Sequence, residues 1–369
     1  MIYTVVGDAR ANNSNFEHKF DSSQSQSYRS VNSGIYNFAY RYGTLNAREV
    51  CDYVLIGEKK PPYTFNFLVA YNTSIHYSFD GILGLGCHYP PKQDGFGFDE
   101  RFSFLNYLQF NKLIERRVFA HQYLNRTYGK FYIDDIPDTI RDYKKCQLSY
   151  SQELLYKWYC ELNKVSFEKG KEFTVKLSIA FDTGYIDIRA PTQEGENLLN
   201  EIISLSGNKC TIEETKINDN DIYKRLICDY NLKISNIPNI HFTVDDFDII
   251  LLNNDMFRLV QISNEYKFIC KIVLDSRYTY WNIGEPLIKN YDMIFNADDS
   301  FIGFKENVNL YGESWLTVFI LSIIFVALVI AGVYLFINRK KLFNKGIASD
   351  QIEKLKQKEA FEGSQLGEI

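Results

Sequence analysis

Apolar and polar residues alternate in short stretches along most of this chain. Ile35-Tyr36-Asn37-Phe38-Ala39-Tyr40 does so between turn residues, which predicts a strand with one buried face. Residues 50–56, 63–70, 130–133, 173–181, 240–244, 248–252, 268–274 and 293–295 read the same way. Gly, Asn and Asp separate these runs, so the pattern predicts a mainly β fold. Helical spacing of apolar residues is confined to two short segments. One is 104–114, closed by Arg116-Arg117; the other is 195–205, rich in Leu and Ile. No tandem repeat is present. A faint two-fold echo links Phe79-Asp80-Gly81-Ile82-Leu83-Gly84-Leu85-Gly86 to Tyr280-Trp281-Asn282-Ile283-Gly284.

The alternation stops near the C-terminus. Residues 315–337, WLTVFILSIIFVALVIAGVYLFI, carry no charge and are long enough to cross a bilayer core as a helix. Asn338-Arg339-Lys340-Lys341 follows, with Lys345 behind it, whereas Gly312-Glu313-Ser314 precedes. The excess of cations after the run places the 338–369 tail in the cytosol and the long preceding part in a lumen or outside the cell. Within the tail, residues 349–360 suit a solvated helix capped by Ser349-Asp350, or a disordered segment. Three acceptor triplets for N-glycosylation, at Asn12, Asn72 and Asn125, all precede the run. All seven cysteines, Cys51, Cys87, Cys146, Cys160, Cys210, Cys228 and Cys270, precede it too. In an oxidising lumen they are expected to pair, with one left over. Such an ectodomain needs a route across the membrane, and the apolar stretch ending at Val5-Val6 is too short for a signal-peptide core; a start further upstream is the expectation.

Composition removes several functions. The chain of 369 residues is long enough for two lobes. Its net charge of −5 is spread thinly, without a basic stripe, so nucleic acid is not an expected partner. No His/Cys cluster has metal-ligand spacing, so neither a metal nor another cofactor is expected.

Ordered blocks over about residues 20–304 make the chain resemble the pepsin-type aspartic proteases. Phe20-Asp21-Ser22-Ser23-Gln24-Ser25-Gln26-Ser27-Tyr28 resembles that family's Ser-rich segment, and Phe38-Ala39-Tyr40-Arg41-Tyr42-Gly43-Thr44 its flap hairpin. Phe79 to Gly86 is similar to its Phe-Asp-Gly-Ile-Leu-Gly-Leu-Gly block. Ile179-Ala180-Phe181-Asp182-Thr183-Gly184 resembles its second catalytic loop, followed by Ala190-Pro191-Thr192. Trp281-Asn282-Ile283-Gly284-Glu285-Pro286-Leu287 and Ile302-Gly303-Phe304 complete the order.

The resemblance implies a bilobal β fold with a substrate cleft. An incomplete N-terminal lobe would occupy residues 1–145 and a C-terminal lobe 146–306, ahead of the 315–337 span. It implies a Cys228–Cys270 disulfide and leaves the pairing of Cys51, Cys87, Cys146, Cys160 and Cys210 open. It implies peptide hydrolysis of polypeptide substrates by a water held between two carboxylates, which share one proton because they cannot both ionise. Asp182 would be one of the pair, with Thr183 and Gly184 shaping its loop and Tyr42, Gly43 and Thr44 forming the flap.

Three departures qualify this. Leu45 follows Thr44 where the family has Gly, and Tyr185 follows Gly184 where it has Ser or Thr. The first Asp-Thr-Gly is missing; Asp8 does not fit the motif or its place in the order, and the resemblance puts Asp80 in a structural strand. The chain as written is therefore expected to be inactive by itself. The alternative is a pseudoprotease, a membrane-tethered module that keeps the cleft for peptides or protein partners.

Overall fold

The computed structural model describes residues 4–7, 19–40, 43–55, 61–73, 81–86, 102–125, 128–138, 142–149, 157–168, 170–216 and 222–307. Beyond these it describes 319–320, 322–334, 336, 338–339 and 352–357. Residues 1–307 form one compact unit and 308–369 a second. The first unit is mainly β, as the alternation predicts.

The first sheet holds β1 (Val5–Gly7), β2 (Arg29–Tyr40), β3 (Gly43–Asp52), β4 (Phe65–Thr73) and β5 (Gly81–Ile82), in the order β2-β3-β4-β1-β5. A second five-stranded sheet holds β6 (Val118–Tyr123), β7 (Gly129–Ile133), β8 (Lys144–Gln147), β19 (Tyr291–Asn296) and β20 (Phe301–Glu306), in the order β7-β6-β19-β20-β8. This sheet takes strands from both halves of the unit and joins them. The remaining strands form a ten-stranded sheet: β9 (Trp158–Phe167), β10 (Glu172–Phe181), β11 (Ile188–Ala190), β12 (Cys210–Lys216), β13 (Ile222–Asp229), β14 (Ile240–Val244), β15 (Phe247–Leu251), β16 (Phe257–Ile262), β17 (Glu265–Asp275) and β18 (Trp281–Ile283). Its order is β12-β13-β17-β11-β18-β10-β9-β14-β15, with β16 also on β17.

Burial explains which strands the pattern reveals. In β14, Ile240, Phe242 and Val244 are buried while His241 and Thr243 are less so, a clean period of two. Every residue of β19 is buried, because both of its faces are covered. Helix α1 (Phe104–Phe110) is shorter than the spacing predicts; Lys112, at φ 56°, turns the chain out of the helix. Helix α2 (Thr192–Leu205) starts after Pro191 and buries Gly195, Leu198, Leu199 and Ile202, one stripe at helical spacing. A Cβ on Gly195 would lie 2.2 Å from Leu274 Cδ2, so the glycine lets the helix lie close on β17.

The echo between Phe79–Gly86 and Tyr280–Gly284 has a structural counterpart. β1 pairs parallel with β4 and antiparallel with β5; β11 pairs parallel with β17 and antiparallel with β18. The order β2-β3-β4-β1-β5 thus repeats as β12-β13-β17-β11-β18. In the larger sheet β10 follows β18, whereas β5 ends its own sheet among the described residues.

The expected Cys228–Cys270 disulfide is not formed. Cys228 bonds Cys210, because the β12–β13 ladder sets these two residues directly opposite each other, with Cα atoms 4.0 Å apart. Cys270 lies opposite Phe257 in the β16–β17 pair and keeps a buried thiol, which burial pushes up to about 12. A second disulfide, Cys146–Cys160, ties the joining sheet to β9. Cys51 is a free, half-buried thiol, and Cys87 lies outside the described residues.

In the second unit, residues 322–334 are helical. Phe325, Leu328, Val329, Ile330, Val333 and Tyr334 all expose their side chains there. Among the described residues no helix is long and apolar enough to cross a membrane. Residues 315–318 lie outside the described residues, and 352–357 form an exposed helical turn in the tail.

Candidate active site

β10 carries its chain to Phe181 beside β18, in a parallel ladder that pairs Ile179 with Trp281 and Phe181 with Ile283. Asp182 is the next residue. Its amide donates to the Ile283 carbonyl at 2.9 Å, which extends the ladder by one bond and fixes where the carboxylate leaves the sheet. The chain then reverses. Tyr185 N donates to Asp182 O at 3.2 Å, and Gly184 N donates to Asp182 Oδ1 at 3.0 Å. The second bond puts a backbone dipole on the carboxylate and favours one orientation of it. A Cβ on Gly184 would stand 3.2 Å from that same oxygen, so a side chain there would crowd the carboxylate. Asp182 is half-buried, while Thr183 and Gly184 are exposed.

After the turn the chain passes to the other side of β18. Glu285 N donates to Tyr185 O at 2.7 Å, and Arg189 of β11 pairs with Asn282. β18 therefore runs between the incoming and outgoing arms of the Asp182 loop. Gly284 marks the tightest point of this crossing: a Cβ there would come within 2.3 Å of both Tyr185 O and Asp187 O.

The loop is backed by charged and hydroxyl groups. Arg189 and Asp275 form an ion pair at 2.8 Å with side chains 1% and 0% exposed. Arg277 closes on the same carboxylate through Nε at 2.9 Å and Nη2 at 2.8 Å. Burial pushes the Asp275 carboxyl upward, but the hydrogen bonds from Arg277 and the two guanidinium charges outweigh it and hold the group below its usual range. The Arg189 guanidinium also lies 5.8 Å from the Tyr185 ring centre and 4.9 Å from that of Tyr223. Tyr185 and Tyr278 share a hydroxyl–hydroxyl hydrogen bond of 2.8 Å. Lys157, immediately before β9, donates to the Tyr280 hydroxyl. Burial holds the Tyr278 and Tyr280 phenols protonated, well above their ordinary range.

The two halves meet close to this loop. Trp158 Nε1, next to Lys157, donates to Leu85 O at 2.7 Å. Leu85 belongs to the glycine-punctuated block that contains β5.

Of the other residues singled out from the sequence, Gly43 and Thr44 open β3, whose hairpin with β2 closes at the pair Tyr40–Gly43. Tyr42 lies between those strands and outside the described residues. Asn12 lies outside them as well. Asn72 sits in β4, opposite Asn46. Asn125 is exposed, in the turn after β6, and its Oδ1 accepts from Tyr128 N at 2.8 Å. Among the described residues no group of His, Cys, Asp and Glu could hold a metal ion.

Lys157, Tyr278, Tyr280, Arg189 and Asp275 escape sequence reasoning. Their common feature is a register of strands distant in sequence. The one legible hint is Tyr185, which stands where a Ser or Thr supports the aspartate in the family the chain resembles; a new residue there calls for new partners.

Comparison with protein families gives a match over residues 5–307 to the model described as eukaryotic aspartyl protease. That span is the whole of the first compact unit apart from its first few residues. No curated protein matches the chain.

Proposed function

Because the chain belongs to the eukaryotic aspartyl protease family, we propose that it is an aspartic endopeptidase for polypeptide substrates, with Asp182 as one of two carboxylates. The observation that carries this is the Asp182 loop. A carboxylate stands at the end of β10, where β18 threads between the two arms of a tight turn, and Gly184 N orients it. Such a group can bind and activate a water. It needs a second carboxylate facing it, since one acid must take the proton of the water while another polarises the scissile carbonyl.

The internal repeat supports a place for that partner. β5 stands in the first sheet where β18 stands in the larger one, and the position equivalent to β10 lies along β5's outer edge. The sequence contains one Asp-Thr-Gly and no Asp-Ser-Gly, so the second acid is not supplied by a further motif of this kind within these residues.

A membrane anchor at 315–337 belongs to the same proposal. The uncharged run, the basic residues behind it and the exposed apolar side chains of helix 322–334 support it. The catalytic part then faces a lumen or the cell exterior, in the secretory or endolysosomal pathway or at the cell surface. The acceptor sites Asn12, Asn72 and Asn125 are consistent with that side.

The test is peptide cleavage at acid pH by the full-length product and by its Asp182→Asn variant. The expected result is a loss of at least about a thousandfold, since the pair works as a unit. Undiminished cleavage in the variant would remove Asp182 from the chemistry. Peptide binding without cleavage by the unaltered product would favour a membrane-tethered binding module.

A further inference from the structure

A strand at the edge of a sheet presents N–H and C=O groups with no ladder partner, and folded chains blunt such edges with charges, short lengths or bulges. Among the described residues the other edges are blunted in these ways. β5 has two residues, and β2 breaks its register against β3 between Ser30 and Ile35. β12 carries Glu213 and Glu214, β8 carries Lys144 and Lys145, and β7 carries Lys130. β15 carries Asp248, and its Ile250 amide donates to the Tyr291 hydroxyl at 2.7 Å. β16 differs. It pairs with β17 alone, and after Arg258 it reads Leu259-Val260-Gln261-Ile262, without charge or proline. Its six residues meet β17 in unbroken register, so no bulge twists the edge away.

The hairpin fixes which backbone groups face outward. Ser263 and Asn264, at φ 47° and 68°, form a two-residue turn of type I′, which closes on the hydrogen-bonded pair Ile262–Glu265. Such pairs alternate along an antiparallel ladder, so Arg258, Val260 and Ile262 bond to β17. The bond from Lys271 N to Met256 O, 2.7 Å, continues the alternation. The N–H and C=O groups of Leu259 and Gln261 point away from β17, and no strand among the described residues pairs with them. Leu259, Gln261 and Ile262 are exposed. Leu259 lies opposite Phe268, on which the exposed Tyr230 ring stacks at 6.4 Å, so the open edge borders an apolar face.

We propose that two copies of this chain join along this edge, by antiparallel pairing of β16 with β16 about a two-fold axis at Val260. The strand complements itself in that register. Leu259 of each copy lies opposite Gln261 of the other, and the outward groups of these residues make four hydrogen bonds between the copies. Val260 faces Val260 of the second copy in a non-hydrogen-bonded pair. Arg258, the one charge on the strand, comes opposite Ile262, so no like charges meet. An unrelated strand has the same backbone groups open to it; what favours a second copy is that one symmetric register satisfies all four bonds without repulsion. The interface uses the Glu265–Cys270 end of β17, about 17 Å of strand from Asp275, which backs the Asp182 loop. It neither needs nor alters the catalytic reading of Asp182.

The test measures the mass of the full chain in detergent micelles by light scattering, and cross-linking of Val260→Cys by a mild oxidant. A dimer is expected, and Val260→Cys is expected to give a reductant-sensitive linked dimer well above the level in the unaltered chain, because the two thiols face each other on the axis. Gln261→Pro removes an outward N–H and leaves every bond to β17 in place. By symmetry it deletes two of the four bonds, so the dimer is expected to dissociate at least about tenfold more readily. Leu259→Lys sets a charge on the edge of each copy and is expected to weaken the dimer in the same direction. A monomeric unaltered chain overturns the proposal. A dimer that neither edge variant weakens and that Val260→Cys does not link overturns it as well, since that dimer is held elsewhere.

Discussion

His121 carries a pH liability that is independent of the site. It lies on β6 with its ring 5.5 Å from Tyr123 and 5.8 Å from Phe295, and both ring nitrogens are sealed from solvent without a hydrogen-bond partner. Burial lowers its pKa from 6.5 to about 4. Between those values the unfolded chain binds a proton that the folded chain refuses, so stability rises with pH across that window and falls as pH drops through it. The difference corresponds to about 3 kcal/mol by linkage. In His121→Phe, the stability difference between pH 7 and pH 4.5, measured by urea unfolding, is expected to be smaller than in the unaltered chain. Equal differences would show that His121 does not titrate in this way. Gly284 illustrates another residue-scale constraint: two carbonyl oxygens occupy the space a side chain would need.

At the scale of elements, the Asp182 loop depends on β11, β17 and β18 meeting in one place. Arg189 from β11 and Asp275 from β17 meet as a buried ion pair, and Arg277 shares the carboxylate. Removing one member of such a group leaves a buried charge without compensation. Asp275→Asn is expected to cost about 3–5 kcal/mol in urea unfolding, and a further Arg189→Met change to recover part of that loss. If the double variant is as unstable as the sum of the two single variants, the pair is not coupled as its geometry implies. The same level corrects the cysteine pairing. Cys210 and Cys228 become neighbours because β12 folds back on β13, which places Cys210 across from Cys228.

The whole first unit is held together by a sheet to which both halves contribute. Phe119 of β6 stacks on Phe295 of β19 at 4.6 Å, and Arg117 pairs with Asp298 at 2.7 Å, partly exposed. Trp158 adds a hydrogen bond to Leu85 near the Asp182 loop. These contacts give the Asp182 loop a rigid base. The compact unit ends at Asn307, and the apolar run lies entirely beyond it. Expressed in cells, the full chain is therefore expected to stay in the membrane pellet after alkaline carbonate extraction, and a chain ending at Asn307 to be released. Release of the full chain would remove the 315–337 span.

By itself, the sequence determined the class of the fold and pointed to the Asp182-Thr183-Gly184 loop. Strands such as β14 are legible because one face meets the core and the other meets water, so burial writes a period of two into the residues. The Asp182-Thr183-Gly184 loop is legible because a turn this tight restricts residue types locally. The strands β9, β12, β13 and β16 do not stand out in the sequence; in β9, buried and polar positions follow no simple period. Tertiary structure alone decided what surrounds Asp182. Lys157 stands 25 residues before it in the numbering and Tyr280 98 after it, yet β9 and β18 flank β10 and bring both to one place. Cysteine pairing was settled at the same level. The physical reason is common to both: a side chain's neighbours across a sheet are set by register, and register is settled by the packing of the complete core.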